Sequence, residues 1–161
     1  MTQYHNIPPV YDKNSRILIL GSFPSVKSRE AQFFYGHPQN RFWKVMSAVL
    51  DCDLPVTVQQ KKLILLSHNI AVWDVIGSCE ITGSSDATIS SVVPNDIAGL
   101  VAETSVTRIF TNGARAYKAY KQYCRENVGI EAVKLPSTSP ANATFSLERL
   151  ISVWKSQILS Q

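Results

Sequence analysis

The sequence lacks any run of the ~18 or more apolar residues that a membrane-spanning helix needs, so no membrane partner is expected. Its first residues, "MTQYHNIPPVYDK", lack the apolar stretch of a secretion signal, and a cytoplasmic location is expected. Cysteine is scarce: Cys52, Cys79 and Cys124 are odd in number and far apart, with no CxxC pair. That pattern excludes a disulfide framework and agrees with a reducing compartment. Histidine is equally sparse, and His5, His37 and His68 show no HxxxH spacing. No metal site and no cofactor are expected. Acidic residues are outnumbered, 12 against 16 basic ones, which gives a net charge of +4 and a pI near 9.0. A mild excess of this size permits a polyanionic partner without requiring one. Internal repeats and linker-like stretches are also missing. With 161 residues and 45% hydrophobic content, one domain over 1–161 with a real core is expected.

Four short apolar runs stand out, near 16–21, 70–75, 106–111 and 131–135. They are rich in Ile, Val and Leu and do not alternate with polar residues, which is how strands buried on both faces read. Helical patterns fall between them. Asn40 to Leu50 carries Phe42, Trp43, Met46, Val49 and Leu50 at helical spacing, and 56–68 holds a second pattern. Pro94 at a first helical position, with Asp96 behind it, opens a third. Ala114 to Glu126 and Thr144 to Leu159 complete the set. Strand and helix alternate, so the class is α/β with a mostly parallel four-stranded sheet. Residues 77–91, "GSCEITGSSDATISS", are mostly Gly, Ser and Thr and are expected to form a loop over the sheet edge.

In open α/β sheets, ligands bind beyond the carboxyl ends of the strands. Four segments should open there: Gly21-Ser22-Phe23-Pro24-Ser25, Asp74, Asn112-Gly113 and Pro136-Ser137-Thr138-Ser139-Pro140. "GSFPS" is either a structural turn or a backbone cradle for phosphate, but no P-loop, since GK[ST] is absent. Asn112-Gly113 is either a plain turn or an amide that reads a nucleobase edge. Asp74 is either a hydrogen-bonded strand-end carboxylate or a catalytic one. Arg115, Lys118, Lys121 and Arg125 share one helical face, which is either simply solvated or the flank of a nucleic-acid footprint. The densest stretch is "FYGHPQNRFW", residues 34–43. Its Phe34, Phe42 and Trp43 read as core. Tyr35, in a turn before Gly36-His37-Pro38, reads as a stacking platform for a base.

These motifs in this order, "GSFPS", "FFYGHPQNRFW", "WDV", "TNGA" and "LPSTSPAN", resemble the uracil-DNA glycosylase superfamily over residues 16 to about 150. The aromatic-HPxNRFW segment is similar to the mismatch-specific uracil/thymine glycosylases. "GSFPS" and "LPSTSPAN" look closer to the hypoxanthine-DNA glycosylase branch. The resemblance implies a three-layer α/β/α fold and a pocket that receives a damaged base flipped out of DNA. It implies base binding by Gly21, Ser22, Phe23, Tyr35 and Asn112. It also implies catalytic roles for Asn40 and Asn112, and DNA-phosphate contacts from Pro24, Ser25, Ser137, Thr138 and Ser139. Phe23 stands where many members carry an Asp or Asn that positions water, and Leu135 where the last motif often begins with His. The same first-motif substitution is a mark of the hypoxanthine branch, and the absence of a four-cysteine cluster excludes the iron–sulfur branches.

The expected function is therefore that of a monomeric, monofunctional DNA glycosylase, acting on DNA that holds a damaged or mismatched base. Hypoxanthine is the first candidate, with uracil or xanthine next. A small-molecule nucleoside or ester hydrolase on a similar sheet, and a lesion-binding module without catalysis, are the alternatives.

Overall fold

The computed structural model describes residues 2–81 and 89–160. Its centre is a four-stranded, all-parallel sheet in the order β3-β2-β6-β7. The strands are β2 (Ile17–Gly21), β3 (Ile70–Asp74), β6 (Arg108–Asn112) and β7 (Ala132–Leu135). They coincide with the four apolar runs to within two residues at each end. Leu18, Ile19 and Leu20 are fully buried because β2 is central and both its faces are covered. Ile19, Val72 and Phe110 face one layer, built on α2 (Phe42–Val49), α3 (Val58–Ser67) and α7 (Leu147–Ile158). Leu18, Leu20 and Ile109 face the other, built on α4 (Ile97–Ala102) and α5 (Ala114–Tyr123). The result is the expected α/β/α arrangement.

Four sequence expectations need correction. Residues 77–91 are not simply a loop: β4 (Ile76–Ile81) and β5 (Ile89–Pro94) pair antiparallel, and residues 82–88 lie outside the described residues. With β1 (Thr2–Tyr4) they form a second, three-stranded sheet in the order β1-β4-β5. Small polar residues hide these strands, because only scattered positions such as Cys79 are buried. Pro94 ends β5 and does not open a helix; α4 starts at Ile97, where the Asp96 side chain accepts from the Gly99 N–H. The pattern over 114–126 breaks at Cys124 into α5 and a single turn, α6 (Arg125–Val128). The helix expected from Asn40 starts at Phe42, because Asn40 spends its carbonyl oxygen on the Phe42 N–H at 2.9 Å. A short helix that the sequence reading did not identify, α1 (Val26–Ala31), follows the first motif and is capped by Ser25.

The N-terminal segment is fastened beside β3 from two directions. Val10 and Val72 exchange both backbone hydrogen bonds, at 3.0 and 2.9 Å. The His5 N–H extends the β1–β4 pairing by donating to the Gly77 carbonyl at 2.7 Å. At the opposite end of the chain, α7 holds the last strand-end loop. Trp154 is fully buried, packs edge-on against Phe42 at 5.9 Å, and donates its indole N–H to the Pro136 carbonyl at 2.9 Å. Trp154→Phe keeps a ring but orphans that carbonyl. It is expected to cost about 1–3 kcal/mol from the lost partner alone, read as a lower denaturant midpoint at unchanged slope.

Candidate active site

The carboxyl ends of β2, β3 and β6 converge on one point. Gly21 closes β2 in register with Asp74 of β3. A Cβ on Gly21 would run into Asp74 Oδ1 and come within 3.2 Å of the Tyr35 hydroxyl. Only glycine lets these two side chains meet over the strand end.

Asp74 is all but buried, with 4% of its surface exposed. Its Oδ2 lies 2.7 Å from His5 Nε2. His5 Nδ1 faces the Ile7 N–H at 3.3 Å, so it accepts, and the ring proton sits on Nε2 and is donated to Asp74. The imidazole is wedged against Phe23 and Phe34, with ring centroids 6.1 and 6.0 Å away. Asp74 Oδ1 has no hydrogen-bond partner among the described residues.

Tyr35 takes a left-handed backbone (φ 55°), a sterically costly state for a residue with a Cβ. The turn is held by the Gly36 N–H donating to the buried Ser28 hydroxyl at 2.9 Å. One ring face stacks on Phe42 at 4.0 Å, and the hydroxyl is buried at the strand ends. Burial, and then the Asp74 carboxylate, push its pKa well up, so it is neutral and a donor. Asn112 acts in the opposite sense, and the hydroxyl has no hydrogen-bond partner among the described residues.

A second group of side chains is joined through Thr138. Asn112 and Thr138 are paired at two points. The Asn112 Nδ2–H donates to Thr138 Oγ1 at 2.9 Å, and the Thr138 backbone N–H donates to Asn112 Oδ1 at 3.0 Å. The Thr138 hydroxyl then has one proton to give, and it goes to Asn40 Oδ1 at 2.8 Å. That oxygen also accepts from the Phe42 N–H. Both acceptor positions of the Asn40 amide are thus filled, its orientation is fixed, and its free end is the Nδ2 donor. Asn112 keeps one N–H and one lone pair. The loop carrying Thr138 is fastened by Arg41, whose guanidinium donates to the carbonyls of Phe145, Ser139 and Asn142. Gly113, at φ 94°, lets β6 turn into α5 while its N–H reaches the Leu135 carbonyl at 2.8 Å.

The structure therefore brings Gly21, Asp74, Tyr35 and Asn112 together, and links Asn112 to Asn40. Two residues expected to contact phosphate are placed otherwise. Thr138 is fully buried, with its hydroxyl committed to the two asparagines, and Pro24 is buried at the foot of α1. Ser25, Ser137 and Ser139 keep exposed or half-exposed positions, and Ser22 is half-exposed beside Gly21. Phe23 is half-buried between His5 and the Arg29 guanidinium, which sits 5.3 Å over its ring. Arg115, Lys118 and Lys121 line the exposed side of α5, opposite the buried Ala116, Ala119 and Tyr120, and Arg125, also exposed, opens α6 beyond the break at Cys124. Among the described residues there is no cluster suited to a metal, and no helix is long and apolar enough to cross a membrane.

Sequence reasoning missed His5, and it missed Thr138 as a link. The one sequence signal for the first was Asp74 itself, a carboxylate closing an apolar strand, which requires a partner once buried. Thr138→Val removes the hydroxyl that joins Asn40 to Asn112. It is expected to lower stability by about 1–3 kcal/mol in denaturant unfolding, since two amide positions lose their partner.

Comparison with known proteins bears on the whole length of this arrangement. Residues 8–156 match the family described as the uracil DNA glycosylase superfamily. A hypoxanthine DNA glycosylase of Methanosarcina acetivorans is 38% identical over 143 residues, spanning 88% of this chain and 90% of that protein. A hypoxanthine DNA glycosylase of Methanosarcina barkeri is 32% identical over 136 residues, spanning 84% and 85%. Among solved structures, the solution structure of a candidate uracil DNA glycosylase from Methanosarcina acetivorans superposes with a TM-score of 0.77 at 34% identity. It covers 97% of this chain and 98% of that one.

Proposed function

The chain belongs to the uracil DNA glycosylase superfamily, and we propose that within it the protein is a monofunctional DNA glycosylase of base-excision repair. It hydrolyses the N-glycosidic bond of a deaminated base flipped out of DNA, hypoxanthine first, with uracil or xanthine as lesser substrates. It acts as a monomeric cytoplasmic enzyme, with 1–161 as a single glycosylase domain. The observation that carries this reading is the fixed relay from Asn112 through Thr138 to Asn40 at the strand ends. The names borne by its relatives, hypoxanthine DNA glycosylase, support the choice of lesion.

In the proposed reaction the C1′–N bond breaks and its electron pair leaves with the base. A water oxygen bonds to C1′, and a water proton ends on the departing base. The transition state is an oxocarbenium ion beside a developing anion. Asn40 has no useful basicity, and its carbonyl oxygen is already taken, so it acts as a donor that orients the water or the sugar. Asn112 uses its remaining N–H to hold charge developing on the base. Tyr35 offers the ring face that Phe42 leaves uncovered as a platform for the base. Ser25, Ser137 and Ser139 take the phosphate contacts.

The deciding experiment incubates the protein with duplexes holding hypoxanthine, uracil, xanthine or a G:T mismatch, and then reveals abasic sites with alkali. Strongest cleavage at hypoxanthine is expected. Lesion binding without abasic sites would mean a binding module, and hydrolysis of free nucleosides alone would mean a small-molecule enzyme. Asn40→Ala and Asn112→Ala should each slow single-turnover excision roughly 10²–10³-fold while the protein stays folded. Tyr35→Ala should weaken engagement of lesion DNA by about 1–3 kcal/mol, seen as a raised half-saturation concentration in single-turnover titrations.

A further inference from the structure

We propose that Asp74, held by His5, reads the N–H of the lactam edge that deamination creates, and so separates hypoxanthine and uracil from adenine and cytosine. This rests on the glycosylase reading above and names a specificity residue within that same site.

The inference starts from an imbalance at the strand ends. A buried carboxylate has one oxygen bonded to His5 and the other without a partner. That oxygen abuts Gly21, beside the tip of Tyr35. An acceptor with no protein partner at the open strand ends can take an N–H from a ligand. Asn112 reaches the same end of the ring and keeps one free N–H. A base lying on the Tyr35 face therefore meets, at its inner edge, an acceptor from Asp74 and a donor from Asn112.

The lactam edge of hypoxanthine presents N1–H and O6, a donor and an acceptor side by side. Uracil presents N3–H and O4 in the same way. Adenine presents N1 as an acceptor and an amino group as a donor, and cytosine likewise presents N3 and an amino group, so both parent bases face Asp74 with a lone pair. Guanine keeps N1–H, but a carboxylate grips guanine best with both oxygens, on N1–H and the 2-amino group. With Oδ2 drawn toward His5, the open oxygen meets guanine through N1–H as it meets hypoxanthine, so this edge separates the deaminated bases from adenine and cytosine and not from guanine. A site built to pair with a substrate group discriminates strongly against analogues that lack it.

His5 is a positioning residue here. The Ile7 N–H fixes its tautomer, so Nε2 always donates toward position 74. An Asn at that position must then turn its carbonyl oxygen to His5 and its NH2 to the base. Asp74→Asn thus converts the open acceptor into a donor that opposes N1–H, with almost no change in shape.

Single-turnover excision of hypoxanthine is measured for the wild type, His5→Ala, Asp74→Asn and the double variant. Asp74→Asn is expected to lose roughly 10²–10³-fold, and His5→Ala alone less than about tenfold, because the carboxylate needs no turning to accept. In the double variant the amide can rotate and present its oxygen, so excision should recover at least about tenfold over Asp74→Asn. A purely structural role for the pair predicts the opposite, with the second substitution adding to the damage. Asp74→Asn at the wild-type rate, a double variant no better than Asp74→Asn, or an Asp74→Asn protein that fails to fold would each overturn the proposal. The last counts because an amide that accepts from His5 fits where the carboxylate sits. A wild type that leaves every lesion intact overturns the glycosylase reading itself, whereas one that excises hypoxanthine no faster than Asp74→Asn overturns only the role of Asp74.

Discussion

Gly21 has no side chain, and the rest of the site is arranged around that vacancy. The central strand ends there, buried on both faces, so its Cα is a fixed point in the molecule. Asp74 arrives from the neighbouring strand in register, and Tyr35 arrives from a turn hung on α1. Any Cβ would push both away. The left-handed backbone at Tyr35 is the cost of aiming a large ring at this spot, and burial of its neighbours Phe33, Phe34, Phe42 and Trp43 offsets that cost.

Around that point the polar groups are fixed by counting protons, with little freedom left over. Thr138 owns one hydroxyl hydrogen, and two amides surround it. Because its backbone N–H already bonds Asn112 Oδ1, the only consistent arrangement sends the hydroxyl to Asn40. The same logic fixes His5, where one backbone N–H decides which ring nitrogen holds the proton. Both amides and the imidazole are therefore set before any ligand arrives, which is the condition for donors to act without reorganising.

Much of this was legible in the sequence. The four strands announced themselves as apolar runs, since a doubly covered strand tolerates nothing else. Tyr35 and Asn112 read as candidates because a ring and an amide sit at a turn and a strand end, whereas Asn40 enters through the family resemblance alone. What stayed hidden depended on distant pairing. "LPSTSP" reads as an exposed hydroxyl-rich loop, and nothing local says that Thr138 alone turns inward while Ser137 and Ser139 do not. His5 lies in a polar segment with no periodicity, and its bond to Asp74 spans 69 positions. The β1–β4 register and the Val10–Val72 exchange bring the two together. The strands of the second sheet were hidden for a related reason: Gly77, Ser78, Ser90 and Ser91 interrupt their β-branched residues, and the antiparallel pairing that holds them extended is not readable locally.

Arg41 adds a consequence of a different kind. Among the described residues its guanidinium is neutralised by no carboxylate; three backbone carbonyls solvate it instead, on the loop that carries Thr138. An arginine paired with an acid contributes a short-range dipole, whereas one solvated by carbonyls keeps its full monopole. The loop thus carries a positive potential fixed in place by its own backbone. A polyanion approaching the strand ends is drawn toward this rim before any group on it makes contact, and added salt weakens the pull.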